Sequence, residues 1–230
     1  MRTIEELVSG APVFSKLTPA QRKQLLELTV ERNYRKGEII ILQGTVWPYA
    51  MLVIRGLIRA NKESPEGRCL SLRSFVIGSV FWGHGLFGEY CTPATLVAYK
   101  PTTILRWAAK DLLSIITENN EALWDLCLQL SQRMMEASQT ITDIAFSPVA
   151  SRLARLLVDQ FEAERQTHIE RKMTLEEMAT TIGSTREVVC RLLYRFSDKN
   201  MIQVDRSRFI LVDREELNKL AEGEIVLTKE

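Results

Sequence analysis

The stretch MTLEEMATTIGSTREVVCRLL, residues 173–193, contains the most informative pattern in the sequence. Leu175 and Met178 recur at helical spacing, which gives the first part of the stretch one apolar face. Thr174 can cap this helix, because a glutamate follows it three residues later, as in a capping box. Gly183 stands where two helices need a tight turn between them. The stretch therefore predicts a helix–turn–helix.

The second helix of this motif has polar residues suited to base recognition. Ser184 or Thr185 can cap it, and Arg186, Glu187 and Arg191 project from the side opposite to its apolar residues. A guanidinium can bridge guanine O6 and N7, and a carboxylate can accept from cytosine N4. The pattern predicts a recognition helix in the major groove of double-stranded DNA and a half-site that contains G·C pairs. The alternative is an exposed helix with an ordinary mixture of charges.

A hairpin is predicted after the second helix. Residues 200–204 and 209–212 are rich in β-branched and aromatic residues and flank the polar run 205–208. The motif becomes a winged helix–turn–helix, with Arg206 and Arg208 at the tip of the wing, where they can meet phosphate.

Composition restricts the class of protein. The chain has 230 residues and a net charge of +1, so it is not a nonspecific polycation. We expect no membrane span, no secretion signal and a cytoplasmic location, with the four scattered cysteines reduced. Two histidines in different parts of the chain cannot form a His-rich metal site, so no metal is predicted. Because nucleophile-elbow, P-loop and dinucleotide motifs are absent, the chain is not expected to be an enzyme.

The remainder divides into two further regions. Residues 1–28 are predicted to be helical, with Thr18 and Pro19 as a start signal, and short strands broken by glycine extend from about 29 to 107. One turn between them is predicted at Ser64-Pro65-Glu66-Gly67. Strands at this spacing predict a barrel or a roll.

A long helix follows, with a heptad-like apolar seam. Ser147-Pro148 then breaks the helix and forms a hinge. The seam predicts a parallel homodimer; the alternative is a helix packed on its own domain. The seam residues are Leu123, Cys127, Leu130, Met134, Ala137, Ile141 and Ile144.

This order of elements resembles the bacterial CRP/FNR transcription regulators. The resemblance implies an α+β fold: a double-stranded β-helix (a β-roll, similar to a jelly roll) with N-terminal helices as sensor domain, 1–118; a dimerisation helix, 119–146; and a winged helix–turn–helix, 147–230. Its most specific points are Arg35-Lys36-Gly37-Glu38 with Gly44, Gly56, Gly78, Gly85-Leu86-Phe87, Ser147-Pro148, and Ser184-Thr185-Arg186-Glu187 with Arg191.

The resemblance also implies a function. Arg186, Glu187 and Arg191 would read a TGTGA-like half-site of a palindrome, and position 190, a cysteine here, touches bases in some members. The partners implied are double-stranded DNA, a second copy of the chain, and RNA polymerase. Neither the target genes nor the direction of regulation follows from the sequence.

The residues of the effector site differ from those of the family that the chain resembles. Members that bind cyclic AMP hold the ribose with a Gly-Glu pair and the phosphate with an Arg-Ser pair, but the corresponding pairs here are Trp82-Gly83 and Pro93-Ala94. A Thr-Ser pair that meets adenine corresponds to Glu136-Ala137. Because both ends of the nucleotide site are missing, cyclic AMP is not expected as effector.

Other effector hypotheses remain open. An apolar pocket between roll and long helix could bind a small molecule, or it could be a filled core in a ligand-independent protein. Haem could use His84 or Cys69 as axial ligand, and thiol-based sensing could use Cys91 or Cys190; a cluster of the FNR type is excluded because no cysteine precedes Cys69. A remote alternative is a signalling module without DNA binding. The candidate pocket residues are Trp82, Gly83, His84, Leu86, Pro93, Ala94, Thr95, Met134 and Ala137.

Overall fold

The structure of the protein is a computed structural model that describes residues 3–65, 69–205 and 207–227. The chain divides into two compact units, Met1–Met135 and Glu136–Glu230. The separation of residues 119–146 into a block of their own stays a prediction.

The first unit contains three N-terminal and central helices, eight strands and most of a long helix among its described residues. These are α1 (Ile4–Gly10), α2 (Pro19–Glu27), β1 (Val30–Tyr34), β2 (Ile39–Ile41), β3 (Tyr49–Arg55), β4 (Ile58–Glu63), β5 (Cys69–Phe75), β6 (Val80–Trp82), β7 (Thr95–Ala98), β8 (Thr102–Ala108), α3 (Ala109–Thr117) and α4 (Asn120–Phe146), with short 3₁₀ helices at Phe14–Lys16 and His84–Leu86.

The strands form a roll. In the described part of the chain they make two four-stranded antiparallel sheets, in the orders β1-β8-β3-β6 and β2-β7-β4-β5. Side chains from both sheets share one apolar core inside the roll, which includes Met51, Phe75, Phe81 and Leu96. Contact with this core explains why the strands are rich in β-branched and aromatic residues.

A second core lies on the outer face of the first sheet, where the helices pack. Phe14 contacts the rings of Trp82 and Trp107 edge to face, with ring centroids 5.7 and 5.0 Å apart. The indole of Trp107 donates to the carbonyl of Leu25 at 2.9 Å, which ties α2 to β8. Thr18 and Gln21 form the capping box that starts α2. The N-terminal helices are therefore part of the first unit's core.

Residues with a defined role at helix ends mark both ends of the long helix α4. The Asn119 side chain accepts from the Ala122 backbone at 3.0 Å and so caps the first turn. At the other end, Pro148 occupies the N-cap position of the next helix, because proline cannot continue the previous one. The predicted break at Ser147-Pro148 is confirmed.

The second unit is built around a helix–turn–helix and a small sheet. Its further elements are α5 (Val149–Glu164), β9 (His168–Glu170), α6 (Leu175–Ile182), α7 (Arg186–Asp198), β10 (Ile202–Val204), β11 (Arg208–Leu211) and α8 (Arg214–Glu222).

The small sheet has the order β10-β11-β9, so the predicted hairpin gains a third strand that the sequence did not indicate. Phe161, Phe196 and Phe209 are fully buried in the core beneath it. The predicted α+β fold, a roll followed by a winged helix–turn–helix, is confirmed. Among the residues described, no helix combines the length and the hydropathy that crossing a membrane requires. Glu66 and Gly67 of the predicted turn lie outside the described residues.

Gly56 generates a stability prediction. Its φ is +90°, and an added Cβ would lie 2.4 Å from the Pro101 carbonyl oxygen. Gly56→Ala should therefore lower the free energy of unfolding by roughly 1–3 kcal/mol, measured by urea denaturation. Gly10→Ala is the matched control, since a Cβ at position 10 meets nothing within 4 Å. Equal stability of the two variants would contradict the close approach at Gly56.

Candidate DNA-reading surface and effector region

Local hydrogen bonds define the start and the end of α6. The Thr174 hydroxyl accepts from the Glu177 backbone at 3.2 Å, and the Glu177 carboxylate accepts from the Thr174 backbone at 2.7 Å. Gly183 ends the helix with a φ of +63°, and the Ser184 backbone donates to the Ala179 carbonyl at 2.9 Å. The predicted capping box and glycine turn are confirmed, and they fix where the next helix begins.

The recognition helix α7 has one buried and one exposed side. Val189, Leu192, Leu193 and Phe196 are buried in the core of the second unit. The Thr185 hydroxyl accepts from the Val188 backbone at 3.4 Å and caps the first turn, while Ser184 is half-buried in the turn before it.

The side chains predicted to read bases lie together on the other side of α7. Arg186, Glu187 and Arg191 are exposed, and Cys190 is half-buried among them. No described residue forms an ion pair with either guanidinium. Both cations therefore keep their donors available for a ligand.

Hydrogen bonds stabilise the ionised form of the Glu187 carboxyl group. Its own backbone N–H and the Thr185 hydroxyl donate to the carboxylate and lower its pKa, with a further contribution from the charge of Arg186. A carboxylate in this state can only accept hydrogen bonds. This agrees with a role opposite a donor such as cytosine N4.

An open hollow of about 600 Å³ lies along this surface and adds residues that sequence reasoning missed. Tyr194 follows Glu187 by seven residues and shares its face of the helix, which is the signal that could have identified it. Its side chain is 69% exposed, which is unusual for a tyrosine without a partner surface. The lining residues are Leu175, Arg186, Glu187, Cys190, Arg191, Tyr194 and Arg195.

A second hollow of about 640 Å³ continues from Arg186 toward the N-terminus of α6. Arg171 and Lys172 line it, and neither was predicted. In the wing, Arg208 is exposed and lies 3.9 Å from the Asp205 carboxylate. Arg206, the other predicted wing residue, lies outside the described residues.

The residues of the predicted dimer seam differ in solvent exposure along α4. Leu123 and Leu130 are half-buried and pack on the core of the first unit, whereas Cys127 is exposed. Met134, Ile141 and Ile144 are 74%, 68% and 43% exposed. Ala137, also a seam residue, is exposed as well.

Other apolar residues of α4 are exposed too: Trp124, Leu128, Met135 and Phe146. The exposed apolar surface of α4 is therefore wider than the predicted heptad positions. The heptad pattern did not indicate this extension.

The buried apolar side chains of the predicted effector pocket belong to two different cores. Trp82 and Leu86 are buried in the helix-side core, where the Trp82 indole donates to the Gln129 side chain at 3.4 Å. Ala94 is buried inside the roll. The reason is the alternation of β6, which sends Phe81 into the roll and its neighbour Trp82 to the opposite face.

The remaining candidate residues of the effector pocket differ in exposure and in the unit to which they belong. Pro93 and Met134 are exposed, Ala137 belongs to the second unit, and the Thr95 hydroxyl accepts from the Gln43 backbone at 3.1 Å. The identity of the effector site stays a prediction.

The surroundings of Gly83, which by the resemblance replaces a glutamate of cyclic-AMP-binding members, leave no space for a side chain. An added Cβ would lie 2.4 Å from the Trp47 carbonyl oxygen and 2.5 Å from that of Tyr49. The Gly83 backbone also donates to the Tyr49 carbonyl at 3.2 Å. A carboxylate could occupy this position only if the backbone at Trp47 and Tyr49 moved.

His84 is one of several exposed residues in the segment between β6 and β7. Burial of part of the ring lowers its pKa, and the nearby charge of Arg133 lowers it further. Cys69, the other residue considered for haem, is half-buried in β5, and Cys91 is exposed. Within the described ranges, no group of three or more His, Cys, Asp or Glu is placed to hold a metal ion.

Comparison with known proteins supports this reading of both units. Residues 31–119 match the cyclic nucleotide-binding domain model, and residues 151–220 match the Crp-like helix-turn-helix domain model. The cAMP-activated global transcriptional regulator CRP of Haemophilus influenzae is 31% identical over 155 residues, which cover 65% of this chain and 69% of that protein.

Two further relatives cover more of the chain. Transcriptional regulator SdrP of Thermus thermophilus is 28% identical over 83% of this chain and 94% of its own length. A crystal structure of a crp/fnr-family transcriptional regulator from Eubacterium rectale has the same fold, with a TM-score of 0.73 at 22% identity over 92% of this chain and 98% of that one.

A roll that matches the cyclic nucleotide-binding domain and a helix–turn–helix that matches the Crp-like domain define a DNA-binding transcription regulator. The chain belongs to the CRP/FNR family of such regulators. The relatives are transcription regulators, which confirms the prediction that the chain is not an enzyme.

The lowered pKa of His84 generates a prediction about pH. The unfolded chain binds a proton at position 84 as the pH falls through 6.5, whereas the folded protein does so only at lower pH. This contribution to stability is therefore present above pH 6.5 and is lost as the pH falls toward the folded pKa. Urea denaturation at several pH values should show a smaller acid loss for His84→Gln than for the wild type. The His168→Gln variant should retain the His84 contribution; identical profiles for wild type and His84→Gln would contradict the assignment.

Proposed function

We propose that the protein binds, as a homodimer, a palindromic DNA site with TGTGA-like half-sites and regulates transcription from it. The observation that carries the proposal is the set of Arg186, Glu187 and Arg191 on one exposed face of α7, with neither guanidinium in an ion pair among the described residues. RNA polymerase as partner and action in the cytoplasm follow from the family and are part of the proposal.

The chemistry of these side chains matches the bases of the half-site. Each arginine can donate two hydrogen bonds to one guanine, and the ionised Glu187 can accept from the cytosine N4 of a neighbouring pair. Cys190 and Tyr194 lie on the same face at i+3 and i+7 from Glu187. We assign these two residues to the outer bases or the adjoining phosphates, and Arg208 of the wing to phosphate.

The exposed apolar surface of α4 supports the homodimer. Met134 and Ile141 would leave large apolar areas in water in a single chain, which is costly for a long helix. A second copy packed in parallel would cover the same positions from both sides. Two recognition helices would then reach half-sites one duplex turn apart, about 34 Å.

The same proposal excludes cyclic AMP as the effector. By resemblance, a carboxylate at position 83 and a guanidinium at position 93 would be needed, and this chain has Gly83 and Pro93. The close approach of Trp47 to Gly83 supports the loss of the ribose contact. We therefore propose that the dimer binds DNA either without a ligand or with an effector of different chemistry.

Fluorescence anisotropy of the ligand-free protein tests the DNA contacts. The probe is a duplex with a TGTGA–N6–TCACA palindrome, at fixed near-physiological salt. Arg186→Ala and Arg191→Ala should each weaken specific binding by about 1–3 kcal/mol, because each loses one bidentate base contact. Affinity for a scrambled duplex should change much less.

Arg214→Ala, an exposed arginine of α8, is the control and should bind as the wild type does. Saturating cyclic AMP should leave the wild-type titration unchanged. Wild-type affinity in both recognition-helix variants would overturn the assignment of α7, and a large gain in affinity with cyclic AMP would overturn the effector proposal.

Sedimentation of a seam variant tests the homodimer. Ile141→Glu should shift the protein toward monomers, because it places a charge in an apolar interface on both chains. Gln132→Glu is the matched control: it lies on α4 opposite the seam and should leave the dimer intact. A wild-type protein that sediments as a monomer at micromolar concentration would contradict the proposal directly.

A further inference from the structure

The first unit has a hollow that neither the DNA-reading surface nor the predicted effector region includes. It is open, has a volume of about 820 Å³, and lies at one end of the sheet β1-β8-β3-β6. Three of its side chains are cationic and one is a carboxylate. The lining residues are Asn33, Tyr34, Arg35, Lys36, Glu38, Arg55, Pro101, Thr102 and Thr103.

Strand pairing brings the cations together from distant parts of the chain. Tyr34, at the end of β1, pairs with Thr102, and Arg55, at the end of β3, pairs with Thr103. Because β8 lies between β1 and β3, Arg35 and Arg55 flank the start of the same strand. The sheet therefore sets the backbone position of Arg55, and Arg35 follows directly after the last residue of β1.

Hydrogen bonds fix the backbone around this hollow. The Leu57 backbone donates to the Thr102 hydroxyl at 3.3 Å, and that hydroxyl donates to the Lys100 carbonyl at 2.7 Å. The Gly37 backbone donates to the Ala98 carbonyl at 2.7 Å, which anchors the turn that carries Arg35 and Lys36. These hydrogen bonds fix the backbone around the hollow, so a ligand would have to order only the exposed cationic side chains.

The charges of the hollow are not balanced within the part of the chain that the structure describes. None of the described residues forms an ion pair with Arg35, Lys36 or Arg55. Glu38 uses a carboxylate oxygen to accept from the Arg35 backbone at 2.8 Å. Three unpaired cations against one engaged carboxylate favour a multiply charged anion, and guanidinium groups match the oxygen geometry of phosphate.

We propose that this hollow is a second ligand site, which binds a small phosphate-bearing molecule on the outside of the roll. The site is separate from the roll interior, and it does not depend on the proposed DNA sequence or on the dimer. A single carboxylate would leave two of the three cations unneutralised, whereas a phosphate ester or a diphosphate can contact all of them.

Calorimetric titration of the full-length protein with inorganic pyrophosphate tests the proposal. The ionic strength is held constant with NaCl, and sodium sulfate is titrated for comparison. We expect saturable binding that is tighter for pyrophosphate than for sulfate. The double variant Arg35→Gln/Arg55→Gln should bind about tenfold more weakly or worse, since it lacks both guanidinium contacts.

Two further variants make the result specific. Arg22→Gln/Lys23→Gln on α2 removes the same charge elsewhere in the first unit and should bind as the wild type does. Lys36→Gln should lose less affinity for pyrophosphate than the double variant does. It replaces the double variant in the test if the double variant does not fold. Absence of wild-type binding, equal binding of sulfate, or unchanged binding by both site variants would overturn the proposal.

A DNA arm distinguishes the source of the phosphate. The same variants are titrated with the palindromic duplex, once with short flanks and once with flanks longer by about one duplex turn on each side. If the site variants bind both duplexes as tightly as the wild type does, and the wild type binds pyrophosphate, the site takes a soluble ligand. A loss confined to the longer duplex, without pyrophosphate binding by the wild type, would assign the cations to the DNA backbone and overturn the soluble ligand.

Discussion

The second unit depends on one guanidinium, that of Arg152 on α5. It donates to the carbonyl of Ile182 at 2.8 Å, at the end of α6, and to the carbonyls of Ser147 and Asp143 at 2.5 and 3.3 Å, at the end of α4. Helix C-termini leave carbonyls without partners and carry partial negative charge, so one cation satisfies two helix ends at once. Burial lowers the pKa of Arg152, and the charge of Asp143 opposes this effect. Because only a three-residue turn separates Ile182 from the start of α7 at Arg186, this contact helps to fix where the second helix of the motif begins.

Much of the second unit could be predicted from the sequence, because its signals are local. The capping box of Thr174 and the turn at Gly183 each involve residues within a few positions of one another, and so does the hairpin of the wing. The same logic could have identified Tyr194, since a residue seven positions after Glu187 shares its helix face. Strand β9 could not be predicted, because His168–Glu170 is short and becomes a strand only by pairing with β11.

The first unit was harder to predict, because its surfaces are made by pairing between distant segments. In β6 all three residues are buried, so alternation of polar and apolar side chains was absent and could not tell which face Trp82 occupies. The basic hollow requires the register between β1, β8 and β3, which no local pattern contains. The departure at Gly83 was visible in the sequence, but its physical reason, the carbonyl oxygen of Trp47 at 2.4 Å from an added Cβ, is a tertiary contact. The roll matches the cyclic nucleotide-binding domain, and backbone atoms of Trp47 and Tyr49 occupy the space that a side chain at position 83 would need.

The exposed apolar surface of α4 would make dimer formation depend on the amount of the protein in the cell. If the helix is covered only when two chains meet, the population of the DNA-competent species depends on the square of the monomer concentration at low abundance. The rate at which the chain is synthesised and degraded would then act as an input in its own right, with a threshold set by the dimer dissociation constant. A regulator of this kind can respond to its own copy number before any small molecule reaches it.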